Sequence, residues 1–485
     1  MASNLNGHID QLRQETRALR SHIVTLEQRV ASSEEENRQL REQLACLAEE
    51  NRRLREQLEE AQRTAARQAA PFRRPERKKI PKDQKKKPGR KPGHLGAHRA
   101  VPAYVDEHVE VPLSVCPGCG SPVAQVEPVE QFIEDIPPGR PHVTRLITYK
   151  GVCPHCGEVH SQHPLQMSEA TGAAKTQVGP RALALAIILN KEIGLTTRAT
   201  CRVLERFAGL KLTPGGLVQA LERSADKLSP VYDQLIIDLR KSPADFVDET
   251  SWYMGEPGYW LWSFTTADTT VYEVAASRGH EVPLAMLGPD YAGMLVSDCL
   301  SSYDPLPYRK HKCISHHLKA IAEALERSDT KDPSYLKQWK LLFTMVPALW
   351  RHREQLGEEE FTRQRTNLES WCDRLLLEKR TQPGDEAIQN RLGKQRESLF
   401  GCLYEPAAEP TNNRAERSFR WAVQVRKLSC GNKTETGARC FEVLASLART
   451  CVQRGHEVVS YLAGCLPMSA AARAIPPPAT PVGAM

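Results

Sequence analysis

Between Leu5 and Leu58 apolar side chains recur at alternating spacings of four and three residues: Leu5, Ile9, Leu12, Leu19, Ile23, Leu26, Val30, then Leu40, Leu44, Leu47, Leu54 and Leu58. Such a period puts one narrow stripe along a helix that has no way to cover it alone, so this part of the chain is expected to pair with another helix. Asn37 and Asn51 fall at a positions of the same register. A buried amide pair there favours two parallel strands in one alignment, which makes residues 1–64 a parallel coiled coil and the protein a homodimer. A single amphipathic helix packed on its own chain is the other reading.

Residues 65–100 leave the heptad. From Pro71 to Arg99 there are twelve Lys or Arg against two acids, with Pro and Gly spaced among them. No core can be built from this, so it reads as a flexible cationic linker. Within it Pro88–Gly93, PGRKPG, places Arg90 and Lys91 as candidate DNA contacts, either to phosphates in general or in an A·T-rich minor groove. The formal net charge of +7 is small for 485 residues but unevenly spread, which favours nucleic acid as a partner. The opening MASNLNGHID has no secretory pattern, and the longest clean apolar run, Ala182–Leu189, is too short to span a bilayer. No membrane association is expected, and the protein reads as soluble and intracellular.

Residues 101–170 carry Cys116-Pro-Gly-Cys119-Gly and Cys153-Pro-His-Cys156-Gly. Two such knuckles supply four thiolates for a closed tetrahedral site, so Cys116, Cys119, Cys153 and Cys156 are expected to hold a structural Zn²⁺ in a zinc ribbon. A redox dithiol is the alternative. Residues 171–240 read as three helices, 179–193, 198–208 and 214–228, the last started by Thr213 and Pro214. The second and third have helix-turn-helix proportions, although any three-helix unit would look alike.

After Pro243 the pattern becomes strand-like: Ala244–Asp248, Tyr259–Thr266, Thr270–Ala275 and Gly293–Ser297 are short and rich in Val, Thr and aromatics. Trp260, Trp262 and Phe264 alternate onto one face, as a core layer would. Two of these strands are expected to end in an acid, Asp248 and Asp298. Further on, Asn412–Lys433 has six Lys or Arg and one acid, Glu416, on a helix that Thr411 could cap. Each acid alone fits a turn, a cap or a solvated ion pair. Together, two strand-end aspartates and a helical glutamate suit a pair of Mg²⁺ or Mn²⁺ ions acting on a phosphodiester.

The order of zipper, basic linker, CxxC pairs and helical unit, followed by VDET, GYWLW, LVSDCLSSYD, HKCISHHLKA and TNNRAERSFR, resembles the insertion sequence 66 family of bacterial DDE transposases. That resemblance implies an RNase H-like α/β catalytic core over 241–465 with Asp248, Asp298 and Glu416 as catalytic and metal-binding residues, and a helical insertion over about 318–405. It implies cytoplasmic, nucleoid-associated action on double-stranded DNA, both element ends and target. Water would cut at the element end, and the 3′-hydroxyl so formed would attack the target without a covalent protein intermediate. Asn412 and Asn413 would orient Glu416 or touch the sugar-phosphate chain, while Arg417, Arg420, Arg426 and Lys427 would position the strand. Cys313 and His316 match a Cys-x-x-His element of the family, with His316 either structural or near a phosphate or metal. His317 stands where relatives more often have an apolar residue, and Asp304 and Glu249 are the nearest replacements for the chosen acids. A DNA-binding regulator with an inert core and a nuclease of the same fold are the competing readings. Residues 466–485 read as a disordered tail.

Overall fold

The computed structural model describes residues 101–168, 176–326 and 332–478, and ten scattered positions between 21 and 50, which are helical and exposed. Apart from those ten, the expected coiled coil lies outside the described residues, as do the basic linker with Arg90 and Lys91 and residues 479–485. The chain divides into two units, Met1–Pro128 and Val129–Met485. In the first, a tight turn at Cys116–Gly120 is closed by two backbone hydrogen bonds, Cys116 N to Ser121 O and Gly120 N to Cys116 O, both 2.8 Å.

The second unit opens with a hairpin, β1 (Lys150–Cys153) and β2 (Gly157–His160), whose turn holds the other CxxC pair. Helices α1 (Pro180–Ile187), α2 (Thr197–Ala208) and α3 (Pro214–Lys241) follow. Thr196 caps α2 and Thr213 caps α3, each accepting a backbone N–H three residues on. Two differences from the sequence reading are physical. After α1 the chain makes a π-helical turn, Ile188–Glu192. Helix α3 runs thirteen residues past Leu228, through Pro230, because Val231, Tyr232, Leu235 and Leu239 continue its buried stripe.

Five strands make one sheet: β3 (Ala244–Met254), β4 (Glu256–Thr265), β5 (Thr270–Ala275), β6 (Met294–Ser297) and β7 (Arg309–Lys312), in the order β5-β4-β3-β6-β7. The first three form an antiparallel meander, and β6 and β7 add on in parallel. A short helix, α4 (Glu281–Leu287), links β5 to β6. Val247, Trp262, Phe264, Val271 and Leu295 share one core with α1–α3, so the helical unit and the sheet are packed as one body. Ala244, Phe246, Met294 and Val296 lie in a second core, shared with α5 (Ile314–Glu326), α6 (Ser334–Arg351), α7 (Glu358–Leu377) and α8 (Pro383–Lys394). Helix α9 (Asn413–Ser429) covers the rest of that face through Phe419, Ala422 and Val425 against Trp252, Leu261 and Tyr272.

The outer edge of β5 is closed by side chains. From α10 (Glu435–Gln453), Glu442, Ser446 and Thr450 accept the backbone N–H groups of Val274, Tyr272 and Thr270 at 2.9, 2.9 and 3.1 Å. Four residues of helix advance about 6 Å and two residues of strand about 6.6 Å, so the two periods run in step. An open strand edge is thereby satisfied without another strand. The last helix, α11 (Val458–Cys465), leads into a segment expected to be disordered. Residues 466–478 are instead packed: Leu466 and Ile475 are buried, and the Ile475 carbonyl accepts from Arg454 at 2.6 Å. Apolar anchors and hydrogen bonds from Arg454 and Tyr461 to its carbonyls together dock a Pro-rich segment whose composition alone reads as solvent-exposed. No helix among the described residues is long and apolar enough to cross a membrane.

Candidate active site

Asp248 does not end its strand, as the sequence reading expected. It is the fifth of eleven residues in β3, because ETSWYM keeps alternating as far as the turn at Gly255. What ends nearby is the pairing to β6, which stops at Phe246 opposite Val296. Carried two residues further, that register aligns Asp248 with Asp298, the residue just beyond β6. The carboxyl end of a parallel pair is where such sheets offer room for ligands. Glu416 comes to the same region on the fourth residue of α9, with Ser418 Oγ only 2.6 Å from Ser263 Oγ, the β4 residue paired with Asp248.

Asp248 lies within the electrostatic reach of both other carboxylates. Burial first, then the charges of Glu249, Asp298 and Glu416, push the Asp248 carboxyl well above the usual aspartate range. His316, on the first turn of α5, is held above the usual histidine range by the Cys313 thiol and then by Asp298 and Glu416. Among the described residues none of the three acids is paired with a cation; Asp248 accepts the Glu249 N–H at 3.0 Å and Asp298 accepts that of Leu300 at 2.8 Å. The donor set of hard oxygens with uncompensated charge fits a divalent cation. As they stand, no three His, Cys, Asp or Glu among the described residues are close enough together to share an ion.

Both suggested replacements are engaged elsewhere. Glu249 points to the opposite face, where Tyr303 Oη donates to it at 2.5 Å and Arg278 at 2.9 and 2.8 Å. Asp304 pairs with Lys312 at 3.1 Å. Lys312 is itself buried and also donates to the Leu300 carbonyl, so it fastens the loop that follows Asp298. His317 is buried and stacked on Phe343, 5.3 Å between ring centres, filling an apolar place with a neutral ring whose pKa burial lowers to about 3.

The basic helix divides by exposure. Asn413, Glu416, Arg417, Arg420 and Lys427 are exposed. Asn412, expected as a DNA contact, is fully buried and donates to the Val247 carbonyl at 2.9 Å. Arg426 donates to Thr250 Oγ1 at 3.2 Å and Ser251 Oγ at 3.0 Å, tying α9 to β3. Gly431, at the end of the motif, has φ +94, and a Cβ there would meet the Tyr253 carbonyl at 2.4 Å. Sequence reasoning missed Lys312, and also Arg391 of α8, whose charge acts on Cys299 and His317 beside Asp298. Only their position in the tertiary fold marks them out.

The CxxC pairs fall in different units, Cys116 and Cys119 in the first, Cys153 and Cys156 in the second. Within each knuckle, hydrogen bonds favour the thiolate: Ser121 lowers the Cys119 pKa, and the His155 and Cys156 amides lower that of Cys153. That donor set fits zinc.

No curated protein matches the chain. The family model described as "Transposase IS66 family" matches residues 175–440, more than half the chain and the whole stretch that supplies the three acids. The chain belongs to the IS66 family of transposases, enzymes that process DNA.

Proposed function

We propose that this transposase works by the DDE route, cutting at the ends of its element and joining the 3′-hydroxyl to target DNA, with Asp248, Asp298 and Glu416 as its acids. The observation that carries this reading is their approach from β3, the end of β6 and α9 with no cation paired to them among the described residues. The order of the mixed sheet, an antiparallel meander extended by two parallel strands, supports an RNase H-like core.

Asp248, Asp298 and Glu416 would hold Mg²⁺ or Mn²⁺, which when bound supplies charge neutralisation for in-line phosphoryl transfer. The protein's own part is to orient the DNA. Arg417 and Arg420, exposed one residue and one turn beyond Glu416, are set to contact phosphates on either side of the scissile bond. His316 is suited to sense the same negative charges from the α5 side. The two knuckles would share a structural zinc, and the heptad segment would bring two copies together so that both element ends are held.

The test is cleavage and joining of labelled DNA bearing the native element ends with Mg²⁺, comparing wild type with Asp298→Asn and Glu416→Gln. Loss of chemistry with retained DNA binding supports the reading. A wild type that binds but never cuts, even with Mn²⁺, sinks it in favour of a regulator. Cutting without joining favours a nuclease.

A further inference from the structure

We infer that Asn412 and Cys313 are positioning residues that fix the spacing of the three acids; this rests on the DDE reading above. Each acid is joined to this pair through a neighbouring backbone group. The Asn412 side chain donates to the carbonyl of Val247, the residue before Asp248, at 2.9 Å. The Cys313 N–H donates to the carbonyl of Ser297, the residue before Asp298, at 2.9 Å. The Asn412 carbonyl accepts the Glu416 N–H at 3.1 Å as the first bond of α9. The two residues are joined to each other by the Asn412 N–H, which donates to Cys313 Sγ at 3.2 Å. Both are fully buried. The Ile314 N–H donates to the Pro410 carbonyl at 3.0 Å and braces the same junction.

The arrangement is costly for a purely structural one. Asn412 Oδ1 is buried with no hydrogen-bond partner among the described residues, and leaving a buried amide oxygen unmatched is unfavourable. A thiol is also a weak acceptor for the N–H of Asn412, the residue that precedes α9. The bonds are aimed at the two strands that carry the aspartates, and they set where α9 begins relative to both. Moving that start rotates or shifts Glu416 against Asp248 and Asp298.

The test uses the full chain with Asn412→Ala, Cys313→Ala and Cys313→Ser. Three properties are read: thermal unfolding, Mn²⁺ binding to the protein without DNA by electron paramagnetic resonance, and the Mg²⁺ concentration for half-maximal cleavage. Losing a supporting shell typically weakens metal affinity about 10- to 100-fold. We expect N412A and C313A to weaken Mn²⁺ binding and raise the Mg²⁺ requirement by about ten-fold or more, with affinity for element-end DNA unchanged. Cys313→Ser keeps an acceptor for the Asn412 N–H and should recover most of the loss. The inference is overturned if N412A and C313A unfold at lower temperature while Mn²⁺ binding and Mg²⁺ requirement stay as in wild type, or if C313S behaves as C313A. Should D298N and E416Q cut as well as wild type, the DDE reading itself fails and takes the inference with it.

Discussion

Asp248 and Glu249 are consecutive on β3 yet face opposite sides of the sheet: Asp248 lies within reach of the charges of Asp298 and Glu416, while Glu249 is locked to Arg278 and Tyr303. Strand alternation thus separates the acid proposed for the reaction from one held in an ion pair by a single residue.

The two acids should therefore respond in opposite ways. Asp248→Asn removes chemistry but leaves stability at neutral pH unchanged or raised, since its charged form is disfavoured in the fold. Glu249→Ala strands Arg278 and the buried Tyr303 hydroxyl and should lose roughly 2–3 kcal/mol. Urea denaturation of both variants, beside strand-cleavage assays, checks this; an E249A protein as stable as wild type would contradict it.

Glu442 makes stability fall as pH rises. Burial and Glu273 lift its folded pKa to about 7 from an ordinary 4.5, so between those values the folded state holds the extra proton. The stabilisation is complete below pH 4.5 and lost as pH climbs to about 7. Glu442→Gln, which keeps an acceptor for the Val274 N–H, should flatten that slope by on the order of 2 kcal/mol. Denaturant midpoints at pH 5 and pH 8 give the comparison.

His317 acts with the opposite sign. Its folded pKa of about 3 lies below an ordinary 6.5, so the unfolded chain takes up the proton first and stability drops as pH falls through 6.5. From pH 7 to pH 5 this ring should account for ~2 kcal/mol of lost stability. Replacing His317 by Leu should remove most of that acid sensitivity, and an unchanged loss between the two pH values would argue against a neutral buried ring.

Zinc should be present at a single ion per chain if the four cysteines form one closed site. Cys119→Ser and Cys156→Ser should each abolish it in elemental analysis, although their residues lie in different units of the chain. Retention of zinc by both variants would mean that the knuckles do not share an ion.

Much of the chemistry was legible from residue order. The four strand segments, the core face of Trp262 and Phe264, the α3 cap and the basic helix around Glu416 follow from local pattern. The strand β7 escaped because Arg309–Lys312, RKHK, has no apolar alternation, and two of its four residues are buried polar groups paid for by tertiary partners. Of the two roles expected for Asn412, orienting Glu416 or touching DNA, burial removes the second: Val247 and Cys313 receive its donors inside the fold.

What the sequence alone determined was the kinds of element and which residues could be considered as acids, because periodicity, caps and turn residues act over a few neighbours. Which acids face each other was decided by tertiary structure. Asp248, Asp298 and Glu416 are brought into one region of the fold by a parallel pairing that stops at Phe246 and a helix fixed through Cys313. Those contacts join residues 50 and 99 positions apart, and no local pattern encodes them.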